Sequence, residues 1–224
     1  MRKDKVEAVF EAMFGIFKTL RVNFKCLPFK QAVKLPIVIS HHVYLRCVKG
    51  KIVIQGQVRP GMITIGIGNV GIFDKKKSRS VLELAKTGTI VFRGGAFLGN
   101  GVKLSVAGTL ELGKDFRMTA ESTIFCNKSI RFGDGCLVSW ENLIFDTDVH
   151  KLYRDGERCN EDQPVVFGDR VWIGCRNTII KGTVVPSDVV IGAGSFLSGT
   201  YEESHVVLAG VPAKTVSTGV SWER

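Results

Sequence analysis

The chain has 224 residues, 45% of them apolar, and 31 Lys and Arg against 21 Asp and Glu for a formal net charge of +10. That length suits one large domain, or one domain with an appendage, and the apolar share is ample for a core. The apolar runs stop well short of the ~18 residues a transmembrane helix needs, no secretory leader is expected after Met1, and the positive charge asks for an anionic partner without naming one.

Residues Lys3 to about Leu20 place Val6, Val9, Phe10, Met13, Phe14, Phe17 and Leu20 at spacings of three and four, which predicts an amphipathic helix. Asp4, Glu7 and Glu11 fall early and Lys18 and Arg21 late, as the helix dipole favours. Pro28 and Pro36 bar its continuation. Residues 1–37 read as this helix and a basic linker, with eight Lys or Arg against three acids. The Phe-rich side is expected to pack on its own domain or on a neighbouring subunit. Peripheral contact with anionic lipid is the alternative.

From Val38 to about Ile72 the chain reads as β (VIS, VYL, KIVIQGQV, ITIGIGNVGI), and Lys75, Lys76, Lys77 and Arg79 follow as a solvated loop. Large apolar residues then recur every six, at Phe92, Leu98, Leu104 and Leu110. The phase slips by two to Leu112, Met118, Ile124 and Ile130, and again to Phe132, Val138 and Ile144. Residues inserted or bulged at coil corners would produce such slips.

The pattern is clearest from Val165 to Leu197, where Phe167, Ile173, Ile179, Val185, Ile191 and Leu197 form one column. A period of six fits neither a helix nor a lone strand. It fits short strands wound into a parallel β-helix whose coils stack as repeats. The expected division is a β-helix over residues 38–200, with a loop excursion at 150–164, and a C-terminal tail at 201–224.

His150, one of four histidines, sits where the repeat stops, between Ile144 and Val165. A histidine can remove a hydroxyl proton near neutral pH and return it to a leaving group. Asp146 or Asp148 would hold its other ring nitrogen as a triad carboxylate does. The plain alternative is a surface histidine beside two solvated aspartates.

The segments VWIG at 171–174, IGAGS at 191–195 and AGVPAKTV at 209–216, with DTDVH at 146–150, resemble the hexapeptide-repeat acyltransferase superfamily. The likeness is to its bacterial O-acetyltransferases, among them galactoside, maltose, streptogramin and capsule-modifying enzymes. It is strong over roughly 120–216 and diffuse before that. The resemblance implies an all-β fold, a left-handed parallel β-helix following the N-terminal helix, in a homotrimer with sites between subunits. Crossovers are normally right-handed, so the hand comes from the resemblance alone.

The resemblance further implies transfer of an acetyl group from acetyl-CoA directly to a hydroxyl of a saccharide acceptor, with His150 as general base. The Cys175 N–H would be the oxyanion donor. Trp172 would wall the acceptor and acyl site, Ala193 would receive the donor's pantetheine arm, Lys214 would meet a CoA phosphate, and Gly174, with Trp172 and Cys175, would belong to the same acetyl-CoA site. Each also has a purely structural reading as a coil-edge aromatic, a small residue in a tight coil, or a surface charge. Asn177 is expected in a buried hydrogen-bonded ladder. Where the sugar acetyltransferases carry an acceptor-contacting asparagine, this chain reads MTAESTIF, which puts Glu121 or Ser122 there.

An N-acetyltransferase of an amino sugar nucleotide and a non-catalytic assembly protein are the alternatives. No metal is expected, since His41, His42 and His205 are dispersed. The six cysteines lack zinc-like spacing and read as free thiols in a reducing cytoplasm. No nucleic-acid motif accompanies the charge. The expected location is the cytoplasm, at large or at the inner face of the membrane.

Overall fold

The computed structural model describes residues 9–224, apart from 69 and 76. From Ile37 the chain winds as a left-handed parallel β-helix, each coil visiting three sheets in turn. One coil runs through Ala96–Leu98, Lys103–Val106 and Thr109–Leu112 before Phe116–Met118 pairs in parallel on its own start. Strands this short alternate inward and outward, so each coil buries only part of its apolar surface and depends on the next.

Three columns fill the interior. Leu98, Met118, Val138, Ile173, Ile191 and Leu208 stack in the first sheet. Leu104, Ile124, Ile144, Ile179 and Leu197 stack in the second. Phe92, Leu112, Phe132, Phe167 and Val185 stack in the third. All are buried, and each contributes about 1.5–3 kcal/mol by leaving water. The Phe132 and Phe167 rings lie parallel, with centroids 4.7 Å apart.

The slips in the six-residue phase arise inside the second sheet rather than at corners. Leu98, Met118 and Val138 repeat at 20 residues, whereas Ile173 and Ile191 repeat at 18. Strands Lys103–Val106 and Thr123–Cys126 carry an added inward residue, Val106 or Cys126, that the shorter Thr178–Ile179 and Phe196–Leu197 lack. A lengthened strand keeps the inward alternation, so the phase moves without breaking the core.

At the corner between the first and second sheets, buried polar residues form a ladder along the coils. Asn142 N–H donates to Ser122 Oγ (3.0 Å), Asn177 N–H to Asn142 Oδ1 (3.0 Å) and Ser195 N–H to Asn177 Oδ1 (2.7 Å). Asn177 stands in this ladder as expected.

Residues 201–224, expected as a tail, instead extend the first sheet. Val206–Gly210 pairs in parallel with Val190–Ile191, and Ala213–Thr218 folds back antiparallel on it. Beyond them, Trp222 Nε1 donates to Arg170 O (2.8 Å), and Arg224 donates to the carbonyls of Asp115 (3.0 Å) and Gly135 (3.3 Å).

The N-terminal helix does not pack its Phe-rich side on its own domain. Residues 3–8 of the expected helix lie outside the described ones. Residues 9–14 are helical and lead through Gly15 into α1 (Ile16–Cys26), followed after Pro28 by the single turn α2 (Phe29–Ala32). The helix packs on the first coil through Thr19, Val22, Asn23 and Cys26, not through its phenylalanines. Asn23 exchanges hydrogen bonds with Ile37, donating to its carbonyl (2.7 Å) and accepting from its N–H (3.2 Å). Ile39 N–H donates to Thr19 Oγ1 (3.0 Å). The edge strand Ile37–Ile39 has orphan backbone groups that only a polar neighbour can satisfy, and this reverses the helix. Gly15 permits the approach, since a Cβ there would stand 1.9 Å from Ile39 O. The Phe-rich side faces outward, with Phe14 70% and Phe17 82% exposed.

Candidate active site

The ladder of coils breaks after Phe145, and residues 146–164 leave the corner between the second and third sheets before Val165 resumes the stack. The stem of this loop is anchored residue by residue. Asp146 is fully buried and turned inward. Its carboxylate accepts from the N–H groups of Asn127 (2.7 Å), Lys128 (2.8 Å) and Ser129 (2.6 Å). Thr147 Oγ1 donates to Asp162 Oδ1 (2.7 Å) and accepts from Val149 N–H (3.0 Å). Asp162 also takes Asn127 Nδ2 (2.6 Å), and its carboxyl sits below the usual range chiefly because Thr147 donates to it.

His150 follows on a tight turn. Its N–H donates to Asp148 O (2.6 Å) across Val149, whose φ is +64°. A β-branched residue in that region is strained, at a cost of order 1–3 kcal/mol, and such strain persists only where surrounding contacts impose it. Here those contacts come from Asn160, whose Nδ2 donates to His150 O (2.8 Å) and Asp148 Oδ2 (2.9 Å). The small hairpin Tyr153–Arg154 and Glu157–Arg158 returns the chain to Asn160. The backbone of His150 is thus fixed from both sides, while its ring is exposed and, among the described residues, has no hydrogen-bond partner.

Neither expected carboxylate orients that ring within one chain. Asp146 holds the turn at 127–129. Asp148 Oδ2 accepts from Lys181 Nζ (2.5 Å), and this bond, followed by the one from Asn160, holds its carboxyl below the usual range. Asn160, Asp162 and Lys181 lie off the six-residue columns, so the repeat does not point to them, and the run NEDQ at 160–163 is a sequence signal for the first two alone.

The residues expected around the donor gather at a different corner, where the first sheet passes to the second. There Glu121, Glu141 and Arg176 stack coil upon coil, each with positive φ, and Gly194 continues the stack. Their N–H groups donate to the carbonyls of Asn100, Ala120, Trp140 and Cys175. Cys175 precedes Arg176 in this turn, and among the described residues its N–H has no acceptor. Ala193 stands exposed at the same position one coil on, and Lys214 is exposed on the final hairpin.

Gly174 has a structural account, because a Cβ there would come within 2.7 Å of Ile191 O. Trp172, on the outer face of the first sheet, donates from Nε1 to Ser139 Oγ (3.2 Å) and lies 5.9 Å from the Trp222 ring.

Glu121 and Ser122 part company. Ser122 is fully buried, donating to Ser139 O (2.9 Å) and accepting from Asn142 N–H, which corrects its reading as an acceptor contact. Glu121 lines an open cleft of ≈ 390 Å³ with Phe73, Asp74, Lys77 and Glu141. One of its oxygens is paired with Lys103 (3.0 Å), and Oε1 is buried with no partner among the described residues.

His150 and Cys175 therefore stand at opposite ends of the second sheet. Cys175 comes before the strand Thr178–Ile179, and Lys181, tied to the histidine loop, comes after it. One chain alone does not bring the two together. Among the described residues, no three His, Cys, Asp or Glu converge as a metal site.

No protein-family model matches the chain. An uncharacterized 24.8 kDa protein in the cps region of Klebsiella pneumoniae is 25% identical over 90% of this chain and 88% of its own length. The polysialic acid O-acetyltransferase of Neisseria meningitidis is 37% identical over 46% of this chain and 49% of its own. The chain spans between 30% and 57% of the length of four named acetyltransferases it matches. Among solved structures, the polySia-specific acetyltransferase NeuO superposes with a TM-score of 0.62 at 17% identity, over 84% of this chain and 79% of that one. These likenesses agree with the resemblance read from the sequence.

Proposed function

We propose that this chain, built on the fold of the hexapeptide-repeat acetyltransferases, moves an acetyl group from acetyl-CoA to a hydroxyl of a saccharide. The site is completed between two copies in a trimer. His150 of one copy removes the proton from the acceptor hydroxyl, whose oxygen attacks the thioester carbonyl. The resulting oxyanion takes the N–H of Cys175 of the adjacent copy, and collapse expels CoA thiolate, which recovers the proton from His150.

The observation that carries this reading is the strained turn at Val149, which fixes the backbone of His150 while leaving its ring free. A merely structural histidine needs no such turn. The separation of His150 from Cys175 supports a second copy in the site. The corner itself supports the order of substrates: Glu121 and Glu141 line a cleft on the coils below Cys175, and Ala193 and Lys214 lie on the coils above it. A saccharide would fill the first and a thin pantetheine arm with its phosphates the second. The charge of Glu121 is already met by Lys103, which favours a hydroxyl over an ammonium acceptor.

The test is release of free thiol from acetyl-CoA with neutral, sialylated and amino-sugar oligosaccharides. His150→Ala should lower kcat by about 10²–10⁴ with unchanged melting. A His150→Ala enzyme at full rate, or acetylation of amines alone, would overturn the reading.

A further inference from the structure

The outward side of the N-terminal helix is apolar and cationic. Gly15 N–H donates to Glu11 O (3.1 Å) and Thr19 N–H to Gly15 O (2.9 Å), so residues 9–26 carry one continuous face. Phe10, Met13, Phe14, Phe17 and Phe24 recur along it at the spacing of one helix stripe, all exposed. Phe29 of α2 adds its ring 6.0 Å from that of Phe24. Water-exposed phenylalanines contiguous over several turns mark a contact surface.

Charge says which contact. Residues 9–39 contain Lys18, Arg21, Lys25, Lys30 and Lys34 and a single acid, Glu11. Glu11 is buried and paired with Lys75 at 3.2 Å. Lys18 turns inward, donating to the carbonyls of His41 (2.5 Å) and Val43 (2.7 Å). Among residues 9–39 the outward surface therefore holds Arg21, Lys25, Lys30 and Lys34 with no exposed carboxylate. The same face of a second copy would set four cations against four. A surface that is both apolar and anionic complements it.

We propose that this helix lies in the interface of an anionic lipid bilayer. Its phenylalanines sit at the acyl boundary and Arg21, Lys25, Lys30 and Lys34 reach the headgroup phosphates. The polar seam of Thr19 and Asn23 on the first coil fixes the helix, so the β-helix is held with its N-terminal end toward the membrane. Among the described residues no helix is long and apolar enough to cross a membrane. The inference is independent of the acyl-transfer reading.

The test is co-sedimentation of the full chain with vesicles of phosphatidylglycerol and phosphatidylcholine, or phosphatidylcholine alone, with the oligomeric mass measured in parallel. Binding is expected to the first vesicles and not the second, and to weaken with salt. Arg21→Gln with Lys25→Gln should lower partitioning about twenty-five-fold at roughly a factor of five per charge. Phe17→Ser should lower it about tenfold. No binding to anionic vesicles, equal binding to both kinds, or unchanged binding by the charge variant would overturn the proposal. So would a Phe17→Ser variant whose oligomeric mass changes while its vesicle binding does not, because another copy would then cover the stripe.

Discussion

Lys181 Nζ donates to Asp148 Oδ2 across 2.5 Å, tying the end of one strand to the residue whose carbonyl holds the His150 N–H. In the proposed mechanism Lys181 acts through the loop and not on a reacting atom. Lys181→Met should therefore lower kcat about tenfold to a hundredfold by misplacing the ring. KM for acetyl-CoA should hold, and Lys181→Arg should recover part of the rate. A fall in melting temperature equal to that of a core variant would show a structural role instead.

The same pair has a pH signature. The Asp148 carboxyl is held below its unfolded value near 3.8, first by the Lys181 hydrogen bond. Its ordering of the loop is fully present above that unfolded value and is lost as pH falls through the lower folded one. Amide exchange at His150 should accelerate in acid before the coil amides do. Simultaneous loss at both would mean the loop has no local transition.

Asp146 should behave as a structural residue. Asp146→Ala leaves three N–H groups without their acceptor, at a cost of about 3 kcal/mol or more. Urea unfolding of this variant beside His150→Ala separates the roles. Equal stability of the two would refute the assignment.

Relief of strain at Val149 should separate stability from activity. Val149→Gly removes the penalty of φ +64° at some cost in chain entropy, for a net gain of about 1 kcal/mol or less. The turn then gains alternatives, so kcat should fall although melting does not. A less stable variant would show that Val149 packs rather than strains.

Thiol chemistry reports on the proposed donor corner. Burial pushes the Cys26 and Cys126 thiols up, and that of Cys136 to about 12. Cys159 is exposed, and Cys47 and Cys175 are half-buried. Alkylation of the native protein should reach only these last three, and acetyl-CoA should slow Cys175 alone. Unchanged alkylation of Cys175 at saturating acetyl-CoA would remove the donor from that corner.

The coils were legible because their columns of Leu, Ile, Val and Phe repeat along the chain, and inward packing requires that repetition whatever surrounds it. The ladder position of Asn177 was legible for the same reason. The orientation of the N-terminal helix was not, because its stripe of Phe predicts burial unless the partner is known. Here the partner is an edge strand whose backbone needs Thr19 and Asn23.

Sequence by itself determined a wound solenoid, its interruption and the histidine at the interruption, since these follow from spacing. Only the tertiary structure decided that Asp146 turns inward, that Lys181 and Asn160 hold the loop, and that Cys175 stands at another corner from His150. Those relations join residues on different coils, and which coil faces which is set by how many residues each turn of the chain takes.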